Sequence, residues 1–96
     1  MSEPITHERL LEDMRTARYV TNLCVEPSTP KFRVMLADTE FAKAAEAIVH
    51  QKIAAITDGT VHFNDGSSRE KTLAGWERTL DKITETLYPE LRKIRR

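Results

Sequence analysis

Ninety-six residues, 40% of them apolar and 31% charged, suffice for one globular domain spanning 1–96 and are too few for two. Fifteen basic residues balance fifteen acidic ones, so overall charge gives no drive toward nucleic acid or a membrane surface. One cysteine, Cys24, excludes an internal disulfide, and no apolar run approaches the roughly 20 residues of a membrane span.

The N-terminus lacks the basic start and apolar core of a signal peptide, which sets the expectation of a cytoplasmic protein. Residues 1–5 read as a loose tail. Thr6 is placed to cap a first helix, with Glu8 in its first turn and Leu10, Leu11, Met14 and Ala17 on its apolar stripe. From Tyr19 to Val25 the pattern is ambiguous. The residues favour a strand and alternate as one, yet Tyr19/Leu23 and Val20/Cys24 also stand four apart, as on a helix. Cys24 in this apolar run reads as a buried structural thiol. Pro27-Ser28-Thr29-Pro30 breaks either element.

Two readings follow the break. In one, Lys31 to Leu36 is a strand with Phe32, Val34 and Leu36 inward, pairing with 19–25 as a hairpin, and Asp38 caps a shorter helix. In the other, Thr29 caps one long helix from Pro30 to about Thr57. Phase favours the long helix. Val34, Met35, Phe41, Ala42, Ala45, Ile48, Val49, Ile53 and Ile56 share a face, which Asp38 and Lys52 interrupt and from which Phe32 and Leu36 are excluded.

Asp58-Gly59 ends this helix with Gly59 left-handed. Thr60 to Asn64 is a short strand if it has a partner, and otherwise a loop pinned by Val61 and Phe63. Ser67-Ser68-Arg69-Glu70 spells a capping box that would start the last helix. Leu73, Trp76, Leu80, Ile83 and Leu87 then form one apolar seam, and Pro89 requires a kink or restart near Tyr88. The architecture expected is all-α: helices near 6–25, 30–57 and 67–95 in a three-helix up-down-up bundle with two long helices. The alternative is α+β in the order αββαβα, with a hairpin over 19–36 and 60–63 as a third strand in a small antiparallel sheet.

The function expected is a small non-enzymatic protein-binding module, such as an adaptor, inhibitor or assembly subunit, with a protein partner that can be a second copy of the chain. Its residues are Gly75, Trp76, Glu77, Arg78, Asp81 and Lys82. Glycine inside a helix costs about 1 kcal/mol relative to alanine, so close approach of another backbone should compensate at Gly75. Tryptophan is a frequent interface anchor, and the acidic line Glu77, Asp81, Glu85 lies beside Arg78 and Lys82. Against this stands the ordinary reading of a bundle core with a solvated charged face.

Two alternatives rest on other residues. The C-terminal end carries Arg92, Lys93, Arg95 and Arg96, which, with Lys31 and Arg33, could contact nucleic-acid phosphates. They also suit a helix C-terminus. Glu77 and Asp81, facing Glu8 and Glu12, could hold a hard divalent cation for an all-α enzyme, though no Glu-x-x-Glu or Glu-x-x-Asp spacing occurs. His7, His50 and His62 lack zinc-ligand spacing. His62 near Asp65 could make a general-base arrangement but reads as an exposed histidine beside a turn. No metal, cofactor or catalytic residue is expected.

Overall fold

A computed structural model of the chain describes residues 6–19 and 30–90. They form four helices: α1 (His7–Thr16), α2 (Pro30–Leu36), α3 (Thr39–Thr57) and α4 (Gly66–Leu87). There is no strand among the described residues. The two longer helices α3 and α4 pack together, and α1 and α2 both lie against α3, which makes α3 the centre of the molecule. No described helix is long and apolar enough to cross a membrane.

The first helix starts as its sequence predicts. The Thr6 hydroxyl oxygen accepts from the Arg9 amide at 3.2 Å, and Leu10, Met14 and Ala17 are buried. Helical structure ends at Thr16, and Ala17 and its neighbours leave in extended or bent backbone. The expected continuation to residue 25 therefore stops short. Residues 20–25, with Cys24 and most of one arm of the alternative hairpin, lie outside the described residues.

The expected long helix from Pro30 is two helices. Leu36 ends α2, and Asp38, in extended backbone, caps α3 by accepting from the amides of Glu40 at 3.0 Å and Phe41 at 3.2 Å. The reading that placed a cap at Asp38 was right about the cap and wrong about the strand before it. The break resets the helical phase. In α2 the inward pair is Phe32 and Leu36, four residues apart and both buried, while Val34 is 72% exposed. That inverts the assignment made by continuing the phase of α3 backwards. A charged carboxylate that satisfies two free amides outweighs one more turn of continuous helix there.

Asp58-Gly59 terminates α3 as expected, with Gly59 at φ +87°. Residues 60–63 are a loop, and Val61 and Phe63 lie against the core. The Val61 amide donates to the Ala55 carbonyl at 3.1 Å, which folds the loop back along α3. The last helix begins one residue before the expected box. Its cap is Asp65, whose carboxylate accepts from the Ser68 amide at 2.7 Å, not Ser67 reciprocating with Glu70. A carboxylate is the stronger acceptor and also complements the helix dipole. The helix ends at Leu87, and helical backbone resumes at residues 89–90 after Tyr88, which is the restart that Pro89 requires; residues 91–96 lie outside the described residues.

The core is continuous across these elements. Leu10 and Met14 of α1, Phe32 and Leu36 of α2, a row of α3 from Phe41 to Ile56, and Trp76 and Ile83 of α4 are all buried. The Arg69 guanidinium donates to the Ile56 carbonyl at 3.2 Å, tying the start of α4 to the last turns of α3.

Candidate functional site

The residues singled out from sequence on α4 divide between its two faces. Gly75 and Trp76 are buried, Trp76 completely, on the side that also holds Thr72, Thr79 and Ile83. The Thr79 hydroxyl donates to the Gly75 carbonyl at 3.0 Å. Glu77, Arg78 and Asp81 are exposed on the opposite side, and Lys82 is half-buried with its ammonium 3.9 Å from Glu85. Helix geometry explains the split: residues three and four apart stay on one face, whereas Trp76 and Glu77, one apart, turn away from each other.

The apolar seam divides in the same way. Trp76 and Ile83 are sealed, while Leu73, Leu80 and Leu87, seven residues apart, touch the core on one side and stay partly exposed on the other. They border an exposed crest of Glu70, Glu77, Asp81 and Glu85. Lys71, Arg78 and Lys82 form the far flank.

The alternative metal site is not assembled among the described residues. Among the described residues, no three His, Cys, Asp or Glu side chains gather as a metal-binding group, so Glu8 and Glu12 do not join Glu77 and Asp81 in one. Arg92, Lys93, Arg95 and Arg96 lie outside the described residues. His7 is placed in packing: its ring stacks on Phe41 at 4.8 Å, and its Nδ1 is 3.6 Å from the Asp38 carboxylate.

A second region, which no sequence motif announced, lies where α1 ends against α3. The Lys52 ammonium reaches across to donate to the carbonyls of Arg15 at 2.6 Å and Ala17 at 2.7 Å. Those carbonyls belong to the last turn of α1, where the chain leaves acceptors unmet and the dipole favours a cation. Burial lowers the Lys52 pKa from its ordinary value. Beside Lys52 is a cavity of about 190 Å³, with Ala17, Ile56, Val61 and the indole of Trp76 as its apolar wall. Arg18, Lys52 and His62 supply its basic groups, and no carboxylate is among its described lining residues.

The two hydroxyls in the lining are already committed: Thr16 donates to the Glu12 carbonyl at 3.0 Å and Thr60 to the Asp58 carboxylate at 2.6 Å. The Asp58 carboxyl is held below its ordinary pKa by these bonds from the Thr60 hydroxyl and amide. The indole N–H of Trp76 is different. It is buried, and among the described residues it has no hydrogen-bond acceptor. A buried donor left unmade costs about 1–3 kcal/mol, and native structures rarely carry one without a reason.

No family model, characterised protein or solved structure matches the chain. The surfaces and the cavity described above are therefore the whole basis for a functional reading.

Proposed function

We propose that the chain is a small non-enzymatic protein-binding module whose partner docks along the outer face of α4. One observation carries the reading: Leu73, Leu80 and Leu87 repeat at the heptad interval and remain only partly covered, beside an acidic crest two turns and more in length. A helix whose inner face is satisfied by α3 gains little from three further leucines at its rim unless something else covers them.

The chemistry of that rim defines the partner. It is an amphipathic helix with apolar residues for the leucine row and basic residues for Glu70, Glu77 and Asp81. Gly75 and Trp76 support this face from within, by packing, and do not touch the partner. A second copy of the chain meets the apolar requirement, but two such rims packed antiparallel set acid against acid.

The test compares capture from a host lysate by the parent chain, by a Leu80→Glu variant and by a Glu77→Lys/Asp81→Lys variant, each checked for unchanged helicity. The reading requires a protein held by the parent and lost by both variants, with light scattering to show whether that protein is the chain itself. Identical capture by all three would sink it.

A further inference from the structure

The docking face of α4 has an occupant of the right chemistry in the chain's own sequence. We propose that the partner is a second copy of the chain, with the segment 91–96 of each copy lying along the first half of the α4 rim of the other. The inference rests on the docking reading above and names its partner.

Three observations point to that occupant. The first is composition. Leu91-Arg92-Lys93-Ile94-Arg95-Arg96 holds two apolar residues, four basic ones and no acid. Ile94 stands seven residues after Leu87, so it continues the row Leu73, Leu80, Leu87 at the same interval. The second is the rim itself. Glu70 and Glu77 are exposed, and each lies three residues ahead of a partly covered leucine, Leu73 and Leu80, on the same side of the helix. Apolar contact and opposite charge are thus required together, and the segment supplies both.

The third is reach. At 1.5 Å per residue, Glu77 lies about 20 Å and Glu70 about 30 Å back along α4 from Glu90. Six residues at full extension span about 20 Å, and a chain that reverses direction spans less. The segment therefore cannot lie along both glutamates of its own helix. A second copy can bring it there.

Symmetry then closes the assembly. Each copy has one acidic rim and one basic end, so a twofold dimer uses both and leaves neither open. The two α4 helices run antiparallel and staggered, and the end of each passes Glu70, Leu73 and Glu77 of the other. The stagger replaces the acid-on-acid contact of two rims laid face to face. Net charge is zero, so the copies carry no overall repulsion to overcome.

Charge exchange on the intact chain tests this. Arg95→Glu/Arg96→Glu inverts the end, and Glu70→Arg/Glu77→Arg inverts the rim. Circular dichroism checks that each variant keeps its helices, and Glu77→Arg alone replaces the double variant if that one unfolds. Sedimentation equilibrium over a concentration series should show the parent associating, and associating less as salt is raised. Either variant alone should associate at least about tenfold more weakly. An equal mixture of the two should regain the lost association, because each inverted end now meets an inverted rim.

The proposal is overturned if the parent is a monomer at every concentration, if either variant associates like the parent, or if the mixture associates no better than its components. A monomeric parent that still captures a different protein, lost with Leu80→Glu, overturns the second copy as partner and leaves the docking face standing. Neither association nor capture removes both.

Discussion

The two ends of α3 are built on different terms. At the N-terminal end every named group has a counterpart. Asp38 caps two amides, Phe41 is stacked by His7 and met edge-on by Phe32 at 6.3 Å, and the His7 ring nitrogen lies beside the Asp38 carboxylate. At the C-terminal end a cavity lies beside Lys52 and Val61, and the buried Trp76 indole N–H has no acceptor among the described residues. Tyr19 and Phe63, in edge contact at 5.6 Å, join the chain leaving α1 to the loop after α3. The first end is finished by the chain itself. At the second, the described residues leave one buried donor unmet.

Substitutions can break this contrast or sharpen it. The largest expected effect is at the finished end: Phe41→Ala should cost about 3–5 kcal/mol in urea unfolding, since it empties a buried ring position. Trp76→Phe removes an even larger buried side chain's polar atom along with some volume, yet should cost less than about 1.5 kcal/mol, because an unmet donor leaves with it. A loss at Trp76→Phe equal to that at Phe41→Ala would erase the distinction between the two ends.

Next in size are the polar ties at helix termini. Asp38→Ala should cost about 1 kcal/mol, and Asp65→Ala should lower the urea midpoint clearly more than Ser67→Ala, which should stay within about 0.5 kcal/mol of the parent. The reverse ranking of Asp65 and Ser67 would restore the capping box that the sequence spells. The dependence on pH is smaller still. The Asp65 carboxyl is held below its ordinary pKa, first by the Ser68 amide, and Asp58 by Thr60. In the acid range just below the ordinary value of 3.8 the unfolded chain binds these protons and the folded chain does not, so stability falls as pH drops through that window and is fully present above it. Replacing either aspartate by asparagine should flatten the acid limb of a thermal-melt profile. The smallest effect belongs to the outer face of α4, where Glu77→Lys/Asp81→Lys should shift stability by no more than about 0.5 kcal/mol while abolishing partner capture.

Much of this architecture is legible in the chain. The Thr6 cap, the Asp58-Gly59 stop, the buried stripe of α3 and the end of α4 ahead of Pro89 all follow from local chemistry that tertiary packing then respects. The break at Asp38 is not legible from periodicity, because the nineteen residues of α3 dominate any wheel drawn through the seven of α2. The signal was present in another form. Asp38 and Lys52 were the two polar residues intruding on the apolar face of the presumed long helix, and each turns out to serve a helix end, Asp38 its own and Lys52 that of α1. On the candidate sites, sequence located the charged face of α4 but joined it to Gly75 and Trp76, which face the other way. It gave no hint of the cavity, since Lys52 meets Ala17 across 35 residues of chain and Trp76 comes from a different helix again.

The separation in sequence of two ties to α3 has a consequence for the order of assembly. Arg69 reaches Ile56 across 13 residues, whereas Lys52 reaches Arg15 across 37. Closing the longer loop costs about 1 kcal/mol more in chain entropy, so the α3–α4 hairpin is expected to form first and α1 to dock onto it last. Run backwards, α1 is the element that opens first, through a partial excursion that leaves the hairpin intact. Amide exchange faster over 7–16 than over 72–83 is the signature of that route.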